Sequence, residues 1–207
     1  MTSKIKELIH ELCPGGVEYK PLREVCDFMT GFAFKASTFV DSGLSICRTT
    51  NIQDGYIDFS KMVCFDKNDY KENLEKYIIR KDDIVIGMSG TIKIGINRSH
   101  DECYLNQRVG KFLPKEPIYY KFLYYILCNS VDELSDTVGG GSVKNLSNKD
   151  INDFKIPVPP LEVQKEIVKV LDYFMDYSTE LQAELQARIK QYEYYRAKLL
   201  TFKELSA

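Results

Sequence analysis

The stretch that decides the architecture is Ile156-Pro157-Val158-Pro159-Pro160, followed by Leu161 to Ala207 without a single Gly or Pro. Two prolines directly before a long breaker-free segment suit a stiff approach and a proline at a first helical turn. Within the segment, Leu171, Phe174, Ser178, Leu181, Leu185, Arg188, Tyr192, Tyr195, Leu199 and Phe202 recur at alternating steps of three and four. This is a heptad seam in which only Ser178 and Arg188 are polar. A helix from Leu161 to about Lys203 would extend roughly 65 Å at 1.5 Å per residue. A small domain has no use for such a strut by itself, so the helix is expected to hold something at a distance or to pair with something.

Composition narrows what precedes it. The 207 residues suffice for one domain plus an appended element. No apolar run approaches the roughly 18 residues of a membrane span, and the first residues lack the apolar core of a signal peptide. Lys4–Leu12 reads instead as a short amphipathic helix with Ile5, Leu8, Ile9 and Leu12 on one face, ending at Cys13-Pro14-Gly15-Gly16. Six cysteines without a CxxC spacing and only two histidines, His10 and His100, argue against zinc. Reduced, buried thiols of a cytoplasmic protein are the expected state.

The formal net charge is −2, which runs against a protein that grips polyanions by charge alone. Acidic and basic residues nearly balance on both sides of Pro160. Locally they do not. Ile86–Lys115 carries Lys93, Arg98, Arg108, Lys111 and Lys115 against Asp101 and Glu102, Thr137–Lys149 carries Lys144 and Lys149 without an acid, and Asp54–Asp83 is the acidic counterweight. Any polyanion contact is expected from the two basic segments.

From about Val17 to Pro160 the chain reads as one α/β or mostly-β domain. Strand-like stretches are expected at about Glu24–Met29, Leu44–Thr50, Tyr56–Phe65, Asp83–Met88, Ile92–Asn97, Cys103–Leu113 and Asp153–Val158, separated by turn signals such as Asp41-Ser42-Gly43, Asp54-Gly55 and Ser89-Gly90. Asp54-Gly55 is a strong hairpin signal. Between Pro117 and Val138, Tyr120, Leu123, Tyr124, Leu127, Val131 and Leu134 predict one or two helices, and Gly139-Gly140-Gly141-Ser142 breaks the pattern.

Catalytic signatures are missing where they would be needed. Gly139–Lys144 lacks the Gly-Lys-Ser/Thr ending of a phosphate-binding P-loop, which leaves a backbone-contacting loop or a plain connection. Pro157–Leu161 lacks the acid or amide and the aromatic residue that flank the proline pair of amino-methyltransferases, and no GxGxxG-like loop follows a strand, so no cofactor is implied. Asp82-Asp83 are not followed by the acid-x-Lys pair of a metal-dependent nuclease and read as solvated turn residues. With His10 on a surface helix and His100 in a polar loop, a Ser or Cys hydrolase lacks its usual base. Recognition chemistry remains. Gly31–Lys35 joins aromatics to Lys35. Arg48–Gln53 concentrates side chains that suit base edges, Arg for guanine and Asn or Gln for adenine. Ser89–Lys93 offers hydroxyls and a Lys, and Asn106-Gln107-Arg108 repeats the theme. Each loop alone is also the composition of an ordinary surface loop.

Taken together, these stretches resemble the DNA specificity subunit of type I restriction–modification systems, in a half-length form. The similarity rests on Leu12–Leu22 with Gly31–Lys35, on Lys81–Ile86 followed by Ser89-Gly90-Thr91, on Asn106–Val109, and most specifically on Ile156–Ile167 and Tyr194–Phe202. The resemblance implies an α+β chain. Residues 1–16 would be a short helix and linker, 17–158 a mostly-β target-recognition domain with a few helices, and 159–207 one coiled-coil-forming spacer helix. It implies no catalytic residue, metal or cofactor. The expected partners are double-stranded DNA, a modification (methyltransferase) subunit and, through it, the restriction subunit. The DNA contacts expected are Lys35, Arg48, Thr49, Asn51, Thr91, Lys93, Arg108, Ser142, Lys144 and Asn145. Leu171, Phe174, Leu181, Leu185, Tyr192, Tyr195, Leu199 and Phe202 are expected to serve dimerisation or partner docking. A usual family member carries two recognition domains and two helical regions, whereas this sequence carries one of each. An antiparallel homodimer reading an interrupted palindrome is therefore expected. The rival readings are a detached specificity domain of a fused restriction–methyltransferase enzyme and a partner-docking antagonist that reads no DNA.

Overall fold

The structure, a computed structural model, describes residues 3–136 and 145–202. The chain forms two compact units, 1–165 and 166–207, and the boundary falls inside one continuous helix. The class is α+β, with a mostly-β first unit followed by the long helix.

The first unit opens with α1 (Ser3–Leu12), β1 (Tyr19–Pro21), the single helical turn α2 (Leu22–Val25) and β2 (Cys26–Thr30). Then come the short strands β3 (Phe39–Val40), β4 (Leu44–Cys47), β5 (Ile52–Gln53), β6 (Gly55–Ile57), β7 (Val63–Phe65) and β8 (Ile78–Ile79). The central strands are β9 (Ile84–Gly87), β10 (Lys93–Ile96), β11 (Cys103–Leu105) and β12 (Val109–Pro114). Helices α3 (Tyr120–Asn129), α4 (Val131–Asp136) and α5 (Asn148–Asp153) precede β13 (Lys155–Pro157) and α6 (Leu161–Leu200).

The strands make a six-stranded sheet in the order β2-β12-β9-β10-β6-β5, a five-stranded sheet in the order β3-β7-β4-β11-β8, and the pair β1-β13. All neighbours are antiparallel except β10 with β6 and β11 with β4. β9 and β11 are buried at every position, so Ile84-Val85-Ile86 reads as an unbroken apolar run, as strands covered on both faces do. One core cluster joins Cys47, Ile52, Ile57, Ile79, Val85, Cys103, Leu105 and Val109. A second is aromatic, with Phe34, Phe65 and Tyr104 packed edge to face, joined by Tyr70. Gly31 is where the two sheets meet: a Cβ there would stand 2.2 Å from the Leu105 carbonyl oxygen.

Several expectations shift in detail. The stretch Glu24–Met29 begins as the helical turn α2, because Leu22 and Val25 both face the core. Tyr56–Phe65 divides into β6 and β7, and Cys103–Leu113 into β11 and β12 around the Asn106–Arg108 turn. The apparent basic segment is largely spent internally. Lys111 is buried, donating to the Ile78 carbonyl (2.7 Å) and to Asp83 Oδ2 (3.1 Å), while Lys115 pairs with Asp27. Asp83 is thus a half-buried counter-ion, not a solvated turn residue: a buried ammonium needs an anionic partner. All six thiols are free, and burial pushes Cys26 up to about 12 and Cys128 up to about 11.

α6 starts where Gln164 is enclosed. This side chain is fully buried, donates through Nε2 to the carbonyls of Pro159 (2.8 Å) and Pro117 (3.0 Å), and accepts the Tyr119 N–H (2.8 Å). Gln164→Ala removes the side-chain partner of three backbone groups, that of Pro159 buried, and is expected to destabilise the chain by about 2–3 kcal/mol in urea unfolding. Gln164→Glu, which turns a carboxylate toward two carbonyls, is expected to cost more.

Candidate nucleic-acid interface

The turn between β9 and β10 gathers residues from distant parts of the sequence. Gly90 supplies its reversal with φ +76, a left-handed conformation that costs a side chain strain. The Met88 N–H donates to the Arg108 carbonyl (2.9 Å) and the Met88 carbonyl accepts the Leu146 N–H (2.9 Å). Ser89 and Asn145 form an isolated antiparallel bridge. Arg108 and Asn145 are therefore held beside Ser89 by backbone hydrogen bonds, and both side chains are exposed. On the side of β5, Thr49, Gln53, Ser89, Gly90, Thr91 and Lys93 line a concavity of about 290 Å³. Of the ten expected contacts, Thr49, Thr91, Lys93, Arg108 and Asn145 are thus brought to one end of the six-stranded sheet.

The others are placed differently. Ser142 and Lys144 lie outside the described residues. Lys35 sits on the aromatic cluster, where its backbone N–H donates to the Tyr70 hydroxyl (2.9 Å). Asn51 is buried at 3% exposure, and its amide is used within the chain. Its Oδ1 accepts the Arg48 N–H (3.0 Å), and its Nδ2 donates at 3.4 Å to the carbonyls of Asp58 and Lys61. Asn51 shapes the loop; the expectation that it meets a base gives way to this role, because a buried, satisfied amide has nothing left to offer a ligand. Arg48, next to it, is half-buried, with Nε enclosed and unpartnered among the described residues.

The electrostatics of the end are modest. Lys93 is half-buried and its Nζ lies 3.2 Å from Gln53 Oε1 and 3.8 Å from Asp54 Oδ2. Asp54 stands at the tip of the β5–β6 hairpin, whose register is Ile52 with Ile57 and Gln53 with Tyr56. The Tyr124 hydroxyl of α3 donates to the Gly55 carbonyl (3.1 Å), and Arg98 lies over the Tyr124 ring. Burial raises the Tyr124 phenol above its ordinary range, so it remains a donor. Gln53 and Asp54 belong to this end as much as Lys93 does. Sequence reading missed Asp54 as a neighbour of Lys93, because what joins them is the parallel pairing of β10 with β6, Gly95 opposite Gly55.

These features describe a rigid sheet end that presents hydroxyls, amides and two cations, with no cluster of His, Cys, Asp and Glu able to hold a metal among the described residues. Comparison with known proteins gives the chain a family. Residues 14–191 match the type I restriction modification DNA specificity domain, and the chain belongs to that family. It is 34% identical over 167 residues to the type I restriction enzyme MjaVIII specificity subunit of Methanocaldococcus jannaschii, an alignment that covers 76% of this chain and 39% of that one. It is 29% identical over 170 residues to the type I restriction enzyme EcoKI specificity subunit of Escherichia coli, covering 77% and 36%. The crystal structure of the HsdS subunit from Thermoanaerobacter tengcongensis shares the fold, with a TM-score of 0.60 and 20% identity over 87% of this chain and 44% of that one. The alignments thus cover less than half the length of each of these relatives.

Gly90→Val is expected to cost about 1–2 kcal/mol in urea unfolding through backbone strain, since the space beside Gly90 is open. Gly90→Asn, which tolerates the left-handed region, is expected to recover most of that loss.

Proposed function

We propose that this chain is the non-catalytic, DNA-reading part of a type I restriction–modification complex. Residues 17–158 would be the target-recognition domain and 159–207 the segment that carries the spacer helix α6. The observation that carries the reading is the convergence of Thr49, Thr91, Lys93, Arg108 and Asn145 on one sheet end in a chain of this family. Hydroxyls and cations position phosphates; Arg and Asn are side chains that read purine edges in the major groove. Arg48 flanks the set, and Ser142 and Lys144 precede Asn145 closely in sequence. Lys35 would meet the duplex only at the periphery. Methyl transfer then belongs to a modification subunit, with a restriction subunit joining through it in the cytoplasm.

The second element of the reading is α6. It is 40 residues long, about 60 Å, and Leu171 is its half-buried seam residue nearest the first unit in sequence. Further on, Phe174, Leu181, Leu185, Tyr192, Tyr195 and Leu199 are exposed, Phe174 at 61% and Leu199 at 69%. The helix ends at Leu200, so Phe202 lies beyond the seam it was expected to close. An exposed stripe of this length supports pairing with a second copy. Charge favours the antiparallel sense. Asp172, Asp176, Glu180 and Glu184 occupy the first half of the stripe region with no basic residue among them, and Arg188, Lys190, Arg196 and Lys198 occupy the second half with only Glu193. Antiparallel alignment sets unlike halves side by side. Two recognition domains related by a two-fold axis would read an interrupted palindrome, and the remaining apolar flank, including Tyr173 and Tyr177, would serve a modification subunit.

Light scattering at micromolar concentration is expected to give the mass of two chains; a mass of one chain would sink the homodimer. Co-expression with a modification subunit, followed by mapping of methylated sites, is expected to return an interrupted palindrome. Arg108→Gln is expected to lower the magnitude of the slope of log K against log salt by about 0.9. If Arg108 reads a base, its loss should also relax preference at one position by roughly 1–3 kcal/mol.

A further inference from the structure

Lys93 is the cation nearest the centre of the sheet end, and it is already occupied. Gln53 Oε1 accepts from its Nζ at 3.2 Å, and Asp54 Oδ2 stands 3.8 Å away. Gln53 is itself steadied by donating through Nε2 to the Thr50 carbonyl (3.1 Å). Asp54 is held in place by its backbone. It sits in the tight β5–β6 turn, Gly55 pairs with Gly95 two residues along from Lys93, and Tyr124 anchors the Gly55 carbonyl from α3. Yet the Asp54 carboxylate is 88% exposed against 27% for the Lys93 side chain. An acid so placed faces any anion that approaches Lys93, well inside the Debye length of about 8–10 Å.

We infer that Asp54 is a displaceable counter-ion that restrains Lys93 in the free protein, so that a DNA phosphate reaches Lys93 only by exchanging places with this carboxylate. The inference rests on the DNA-reading proposal and adds a residue that sets affinity by opposing it. The pair is exposed and screened, so its hold is weak and readily exchanged. Phosphate contacts are the sequence-independent share of binding. Asp54 therefore suppresses binding to arbitrary DNA at little cost to a target whose base contacts add to the phosphate term. This is selectivity obtained by a repulsive element.

The test compares the full chain with Asp54→Asn, Lys93→Gln, the double variant, and Asp41→Asn as a remote charge control. Asn before Gly55 keeps the hairpin chemistry, and thermal unfolding checks that each variant folds. Binding to a labelled random-sequence duplex is followed by anisotropy between about 50 and about 200 mM salt. Asp54→Asn is expected to tighten binding about two- to fivefold and to steepen the salt slope by about 0.9, with no such gain when Lys93 is absent. An equal gain in the Lys93→Gln background, or a gain no larger than that of Asp41→Asn, overturns the inference, as does no gain at all. Retention on a heparin column separates the two proposals. The same dependence on Lys93 there, with no duplex binding by any variant, keeps the Asp54 restraint and discards the DNA reading. Retention of every variant at one common salt concentration discards the restraint.

Discussion

The first unit depends on how its last segment is tied back onto the approach to α3, and that tie is made at Gln164. A side-chain amide can donate twice and accept at its oxygen, and here both donors and the oxygen are used on the backbone groups of Pro159, Pro117 and Tyr119. Around it, β1 pairs with β13 so that Lys20 lies opposite Ile156, and the Leu22 N–H donates to the Phe154 carbonyl. The approach to α3, the β13 exit and the first turn of α6 are thereby fixed to one another. Two prolines cannot donate hydrogen bonds of their own, so the Pro159-Pro160 segment leaves carbonyls that need an external donor. Gln164, four residues after Pro160, is in place to supply it. The apparently featureless start of a long helix is in fact a closed polar network, and such networks specify one geometry because every alternative leaves a buried group unpaired.

A second consequence of the topology is that charge is used twice. Basic residues counted along the sequence suggest a cationic face between Ile86 and Lys115. In three dimensions Lys111 neutralises Asp83 inside the fold, Lys115 meets Asp27, and Lys93 meets Asp54. Arg108 stays exposed at the sheet end. On the DNA-reading proposal, such a surface would bind through a few directed contacts, which suits sequence discrimination better than tight general adhesion.

Much of this was legible in the sequence, for identifiable reasons. The long helix announced itself through a breaker-free heptad pattern bounded by prolines, and its course from Leu161 follows. Strands such as Ile84–Gly87 were readable because continuous β-branched runs have few other uses. The Asp54-Gly55 hairpin followed from turn chemistry alone. What could not be read were relations across sequence distance. Asn51 looks like a base reader in a polar run, but its neighbours in space are Asp58 and Lys61, and only the fold buries it. The division of Cys103–Leu113 into two strands in different sheets depends on the turn at Asn106–Arg108, where no Gly or Pro marks the break. The placing of Asn145 against Ser89, and of Asp54 against Lys93, arises from pairings that no local pattern encodes.

The helix itself supplies the last step. An isolated helix draws little stability from propensity; in proteins most of it comes from burying an apolar stripe. α6 keeps that stripe uncovered over about seven turns, with Phe174, Leu181, Leu185, Tyr192, Tyr195 and Leu199 all exposed. Arg188, at a seam position, turns instead to Glu184 and Gln191 of its own helix. A single arginine with local partners interrupts the seam without abolishing it, since its aliphatic stem can still lie along apolar surface while the guanidinium stays wet. A seam that is apolar at most positions and polar at two is poor as a solvent-facing surface and poor as a uniform hydrophobic zipper. It is well suited to a partner whose register must be matched, because only alignments that keep Ser178 and Arg188 solvated or paired avoid a desolvation cost. The spacing between two reading surfaces would then be set by side-chain chemistry within α6, at positions that touch no DNA.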